Sequence, residues 1–272
     1  MPVPDDNASF TPRAAVHIPI LTFHHIRVYH ARKNTNAWWT SVSPEHFRAD
    51  LQWLHDHDYT SIDLDEFLNI VRHEIPGPLR PVVLTFDDGY RDHYENAFPI
   101  LQEFHMVGVF YVNPDMLGHR AYMTKEQVQE LDAKGMQIAS HTSTHSNLRQ
   151  ITYAQQKDEI GRSKADLEAW LHHPVIHFAY PYGNYNKDSI RLLRNFGYVT
   201  ATTVKRRAAT DESPLLELPR ISLADWMTPE EIFMTTSSAP PGSLPASPYP
   251  TSSPPRSSRT SASKRVAASV LQ

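Results

Sequence analysis

Cysteine is absent from the 272-residue chain. That excludes disulfides and thiolate metal ligands, and says little about compartment. No apolar run is long enough to span a membrane. Positive charge is not in excess either. Twenty-six Lys and Arg stand against 30 Asp and Glu, a formal net charge of −4, which argues against non-specific nucleic-acid binding. The N-terminus, Met1-Pro2-Val3-Pro4-Asp5-Asp6, has neither a basic start nor an apolar stretch, so no signal peptide is expected. Either the protein is cytoplasmic or a leader is missing from the sequence.

What is present is enough for one large domain or two small ones. Hydrophobic residues make up 40% of the chain, sufficient for a substantial core, and sixteen histidines suit imidazole chemistry. The chain is organised around Thr85-Phe86-Asp87-Asp88-Gly89-Tyr90. The apolar run Val82-Val83-Leu84 leads into it and reads as a buried strand. Side chains alternate across a strand, so Asp87 and Asp88 are expected to point different ways. One is then able to bind a metal while the other works beside it. A second cluster, His141-Thr142-Ser143-Thr144-His145, follows the strand-like Met136-Gln137-Ile138-Ala139. Two imidazoles four residues apart share one face if that segment coils helically. With Asp88 they make a His, His, Asp metal site with room for water.

In chain order, 1–15 reads as a disordered lead-in and 16–23 as the first strand, ending at His24-His25. Residues 27–42 read as a long loop. Ser43-Pro44 starts a helix, with Ser at the N-cap and Pro at the first helical position, and Phe47, Leu51 and Leu54 follow at helical spacing. A short strand over 59–62 precedes a helix over 63–72, with Asp63 and Glu66 arranged like a capping box. After the 82–86 strand comes a helix with Tyr94, Phe98 and Leu101, in which Pro99 is expected to cause a kink. Further strands are expected at 107–112, 136–140, 175–180, 198–203 and 218–221. Helices are expected after Thr124-x-x-Gln127, over 152–171 and over 186–196.

Alternating strands and helices argue for a parallel sheet. The chemical residues fall just after strands: His24 and His25, Asp87 and Asp88, His141 and His145, Tyr182. In a (β/α) barrel those strand ends share one rim. An open doubly wound sheet is the alternative, but it predicts a cluster at one crevice. From about Ser237 the composition breaks into prolines and serines with no apolar period, and the 237–272 tail is expected to be disordered. The tail holds Arg256, Arg259, Lys264 and Arg265 and no acids, so the rest of the chain carries 22 basic against 30 acidic residues. A linker, an interaction segment and a shifted reading frame all fit it; a functionally silent tail is the preferred reading.

Thr85–Gly89, Ser140–His145 and Phe178-Ala179-Tyr180-Pro181-Tyr182-Gly183 together resemble the polysaccharide deacetylases, the family 4 carbohydrate esterases. The opening Ile18-Pro19-Ile20-Leu21-Thr22-Phe23-His24-His25, Val42-Ser43-Pro44-Glu45-x-Phe47 and Leu218-Pro219-Arg220-Ile221 are similar to the branch that deacetylates poly-N-acetylglucosamine in biofilm matrices. The resemblance covers roughly 16–235. It implies an irregular (β/α) barrel with fewer than eight repeats, spanning a domain at 16–236. It implies that Asp88, His141 and His145 hold a divalent metal, Zn²⁺ above all, that Asp87 is the general base, and that the backbone N–H of Tyr182 stabilises the oxyanion. The implied substrate is an acetylated glucosamine polysaccharide, and the implied location extracellular, periplasmic or cell-surface.

The chain departs from the family pattern at several points. An arginine that often lies near Ala179 and orients the base is missing. So are the usual Asp-Trp and late Leu-x-His motifs; Asp225-Trp226 comes too late to stand for the former. His24 or His25 is then the candidate general acid, and Arg220 either orients Asp87 or pairs at the surface. Trp38 and Trp39 form a sugar platform or pack on their own domain. Two other functions compete. A non-catalytic carbohydrate-binding relative would keep the groove and lose the acid. A phosphatase with Asp87 as nucleophile usually wants two aspartates separated by one residue, so that both face the same way; adjacent Asp87 and Asp88 do not fit, and no phosphate-cradling glycine loop is seen.

Overall fold

Apolar runs buried on both faces pair in parallel, because the crossovers lay helices against the sheet. A computed structural model of the chain describes residues 16–30, 33 and 35–237, with the backbone alone at 234–237. The expected lead-in at 1–15 and all but the first residue of the expected 237–272 tail lie outside the described residues. Eight strands form one sheet: β1 (Ile20–Phe23), β2 (Tyr59–Ser61), β3 (Arg80–Phe86), β4 (Val109–Val112), β5 (Gln137–Ser140), β6 (His177–Ala179), β7 (Thr200–Thr202) and β8 (Ile221–Ser222). The spatial order is β7-β6-β5-β4-β3-β1-β8, with β2 against the first half of β3, and every pairing is parallel.

That order follows the chain and does not reverse about a crevice, so the doubly wound alternative falls. The sheet curls until its ends meet. Leu218 bridges to Thr202 of β7, and three residues later Ile221, with Ser222 after it, pairs with Leu21 and Thr22 of β1. Residues 218–222 therefore touch both ends of the sheet, and the fold is an irregular (β/α) barrel. The last strand is 221–222 instead of the expected 218–221. Pro219 has no N–H to offer a ladder, and on either side of it the segment serves different neighbours.

The helices start where local chemistry allows. In α1 (Pro44–Asp56) the Ser43 hydroxyl accepts from the His46 N–H, and Phe47, Leu51 and Leu54 are buried. In α2 (Leu64–Val71) Asp63 accepts from the Glu66 N–H at 2.7 Å. A π-helical turn, His93–Ala97, runs directly into α3 (Phe98–Glu103), so the helical run widens just ahead of Pro99. Reciprocal capping boxes at Thr124 with Gln127 and at Thr152 with Gln155 open α4 (Lys125–Ala133) and α5 (Tyr153–Leu171). Asn186 caps α6 (Lys187–Asn195), and α7 (Pro229–Ser237) closes the described chain.

Residues 27–42 are not one loop. They contain a helix, Asn36–Thr40, and a strand, Ser41–Val42, that pairs in parallel with His25–Ile26. Contacts distant in sequence support this: Trp38 stacks on Trp226 at 5.2 Å, and the Asp225 carboxylate accepts from the Ser43 N–H at 2.8 Å and its hydroxyl at 2.9 Å.

Alternation along the strands sorts the core. Leu21, Phe23, Leu84, Phe86, Phe110 and Ile138 join one buried cluster, and Ile20, Val83, Val109, Tyr111, Ala139 and Ala179 join another. The second set comes from β1, β3, β4, β5 and β6, is joined by Leu218, and fills the inside of the curled sheet. Thr85 and Asp87 share the parity of Val83, and Arg220 that of Leu218. Both lines of side chains therefore climb the barrel interior towards the rim.

Candidate metal centre

β3 ends at Phe86, and the chain turns sharply. Asp88 has φ +80° and Gly89 φ +70°, both left-handed. Glycine takes that region at no steric cost; Asp is one of the few other residues that visit it. The turn sends the two carboxylates apart. Asp87 meets Arg220, and Asp88 meets the histidines. The divergence expected from strand alternation is present, but the left-handed turn produces it.

Asp88 Oδ1 lies 3.3 Å from Nε2 of His141 and 3.0 Å from Nε2 of His145. One ligand atom from each residue falls within 4.8 Å of the others, and among the described residues no second such group of His, Asp and Glu occurs. The 141–145 segment is not helical. Thr142 and His145 have φ of +65° and +61°, and these two left-handed residues fold the second imidazole back to the first. Helical spacing is thus the wrong reason for a correct juxtaposition.

The donor set fits a divalent cation. Nδ1 of His141 donates to the Ala179 carbonyl at 2.8 Å, which leaves Nε2 with its lone pair facing Asp88. Asp88 Oδ1 is buried and meets no aligned hydrogen-bond donor. Such an atom is costly unless a cation or proton satisfies it. Burial raises the Asp88 carboxyl, and the neighbouring imidazoles, His145 foremost, more than offset this and hold it well below its usual range.

Asp87 and Arg220 form a bidentate pair, Nη1 to Oδ1 and Nη2 to Oδ2, both at 2.7 Å. The arginine is 2% exposed; its Nε donates to the Thr203 carbonyl at 3.0 Å and Nη1 also to the Thr85 hydroxyl at 3.2 Å. Its guanidinium lies 5.4 Å from the centre of the Tyr111 ring. The arginine absent near Ala179 is thus matched by one arriving from the segment that closes the barrel. Burial pushes the Asp87 carboxyl up, but Arg220 outweighs it and leaves the group below its ordinary value.

The histidine pair after β1 is split. His25 Nδ1 bonds Asp92 Oδ2 at 2.8 Å, and its ring stacks on Tyr90 at 3.8 Å. His24 lies in the field of Asp87, Asp88, Arg220 and His141, and its Nδ1 is buried with no partner. Burial lowers the His24 pKa, against the pull of the two carboxylates. Tyr182, in the turn after β6, is left-handed at φ +60°, half exposed, and packs edge-on to His145 at 4.6 Å. Trp38 and Trp39 pack with each other and with Trp226.

Two participants were not anticipated. Tyr111 lies under Arg220. Asn113 donates from Nδ2 to the carbonyls of His141 and Thr142, the latter at 3.1 Å. Asn113 directly follows β4, so the rule that singled out Asp87 and His141, a polar residue just past a strand end, also pointed to it.

The family model described as polysaccharide deacetylase matches residues 75–201. YxkH of Bacillus subtilis is 29% identical over 203 residues, covering 75% of this chain and 72% of that protein. The poly-beta-1,6-N-acetyl-D-glucosamine N-deacetylase of Staphylococcus epidermidis is 26% identical over 199 residues, 68% of each chain. Among solved structures, the Streptococcus pyogenes deacetylase PplD in complex with acetate superposes with a TM-score of 0.76 at 30% identity, covering 81% of this chain and 98% of that one.

Proposed function

The chain belongs to the polysaccharide deacetylase family, and from that premise we propose that it removes N-acetyl groups from an N-acetylglucosamine-containing polysaccharide, using a divalent metal, Zn²⁺ above all. One observation carries the reading: Asp88, His141 and His145 converge, and a second carboxylate, Asp87, stands next in sequence in the grip of Arg220. Catalytic zinc commonly has three protein ligands and an open position. The catalytic unit is 16–236, with 1–15 and 237–272 outside it.

Asp88, His141 and His145 would hold the metal, which when bound supplies Lewis acidity to the acetamide carbonyl and makes water acidic enough to attack near neutral pH. Asp87 takes the proton of the attacking water. Its bidentate hold keeps it ionised and fixes its direction. The C–N bond breaks as the amine nitrogen gains a proton, leaving acetate and a free glucosamine amine. His24 is the residue for that transfer. Burial lowers its pKa, which favours handing a proton on over holding it. His25, held by Asp92, supports the rim. The Tyr182 backbone N–H is the second oxyanion donor.

Acetate release from acetylated glucosamine oligomers, with and without chelator, tests the reading. Release that stops on chelation and returns with added Zn²⁺ is expected. Binding of the oligomer with no acetate released would instead favour the non-catalytic carbohydrate-binding relative.

A further inference from the structure

The loop that carries His145 is unusual in what holds it. Residues 141–147 are neither helix nor strand, and two of them, Thr142 and His145, are left-handed. A non-glycine residue in that region costs of order 1 kcal/mol or more and persists only when its surroundings impose it. Asn113 holds the Thr142 carbonyl at 3.1 Å; on the His145 side the loop rests on α5, where one residue makes the contacts.

Glu159 takes the loop with both side-chain oxygens and its backbone. Oε2 accepts from the Thr144 N–H at 2.9 Å; Oε1 accepts from the Thr144 hydroxyl at 2.6 Å and the Ser146 hydroxyl at 3.1 Å. The Glu159 carbonyl accepts from the Ser143 N–H at 3.2 Å. These bonds bracket His145, gripping the residue before it and the residue after it. Between them the Tyr182 ring packs against the His145 side chain at 4.6 Å. His141 needs no such clamp, since its Nδ1 is tied to Ala179 at the end of β6.

We propose that Glu159 is a positioning residue for metal binding: its carboxylate holds His145 in ligating geometry by fixing the residues on both sides. This rests on the metal-site reading above. Outer partners that orient metal ligands typically change metal affinity about 10–100-fold when removed. A carboxylate offers two oxygens, and here they serve the Thr144 N–H and the two hydroxyls together.

The test is calorimetric titration of metal-free full-length protein with Zn²⁺, for the wild type, Glu159→Ala, Glu159→Gln and His145→Ala, beside the melting temperature of each metal-free protein. Glu159→Ala is expected to raise the Zn²⁺ Kd by about 10–100-fold while the metal-free melting temperature stays close to wild type. Glu159→Gln, which keeps shape and one acceptor oxygen, is expected to fall between them. If Glu159→Ala does not fold, Glu159→Gln carries the test on the same criterion. Wild-type Kd in the Glu159 variants, with binding lost in His145→Ala, overturns this proposal alone. A metal-free melting temperature that drops while Kd holds overturns it too. No binding by the wild type, or equal binding by His145→Ala, overturns the metal site itself and the proposal with it.

Discussion

Two clusters of histidine and carboxylate stand at opposite ends of one barrel. Past the C-terminal ends of the strands, Asp88, His141 and His145 converge, yet Asp88 Oδ1 meets no aligned donor and His24 Nδ1 no partner. At the N-terminal ends, His177 opens β6, Thr200 opens β7 and Gln137 opens β5. There His177 Nδ1 accepts from the Thr200 hydroxyl at 2.8 Å and Nε2 donates to Asp65 at 3.2 Å, while Gln137 Nε2 donates to the other Asp65 oxygen at 2.9 Å. His177, Thr200 and Asp65 even supply the residue types of a hydrolytic triad. The difference is satisfaction. At the lower end each atom of the imidazole is matched within the protein, so nothing is left for a ligand. At the upper end buried atoms face one another without completing a bond, which leaves bonding capacity open to a ligand. Residue type does not separate a site from a staple; unfilled bonding capacity at the loop-bearing rim does.

The largest expected effect is at the rim. A His141→Ala, His145→Ala double variant should bind no zinc by elemental analysis and release acetate only at background rate. Full metal occupancy in that variant would place the ligands elsewhere. Asp87→Asn should keep its metal and lose about 10²–10⁴-fold in turnover, the usual contribution of a positioned base; turnover near wild type would move the base to another residue. Arg220→Ala leaves Asp87 buried and unpaired, and should cost about 3–5 kcal/mol of stability in urea unfolding along with activity. An unchanged unfolding midpoint would mean that water reaches Asp87 freely.

The lower cluster should respond in stability alone. His177→Ala leaves the Thr200 hydroxyl buried without its acceptor, and about 1–3 kcal/mol should be lost in urea unfolding, with the turnover of folded enzyme unchanged. A fall in turnover of that variant would erase the contrast between the two ends. The smallest effect concerns acid. The His177 hydrogen bond lowers the Asp65 pKa below its ordinary value. Stability from Asp65 is therefore present above the ordinary carboxylate pKa and lost as pH falls through the lowered one. Asp65→Asn should flatten that part of the stability-against-pH curve, a change read from urea midpoints at successive pH values.

Much of the architecture was written locally. Apolar runs became parallel strands, and Ser43, Asp63, Thr124, Thr152 and Asn186 cap their helices, because a cap needs only a side-chain oxygen and an N–H three residues away. Short-range chemistry of this kind is legible in a single sequence. The helix at Asn36–Thr40 was not, since Trp38 packs on Trp226, nearly two hundred residues away, and no local period records that.

The same division runs through the site. The sequence by itself determined which residues stand at the candidate site: paired carboxylates after one strand, two histidines after another, all delivered to one rim because parallel strands end on the same side. Tertiary structure alone decided how they are arranged. It brought Arg220 up the barrel interior to Asp87, gave His25 to Asp92 while leaving Nδ1 of His24 without a partner, and folded the His145 loop through left-handed residues instead of a helical turn. These choices depend on groups more than sixty residues apart, or on a backbone conformation imposed by neighbours. Only closure of the barrel brings such groups within hydrogen-bonding range.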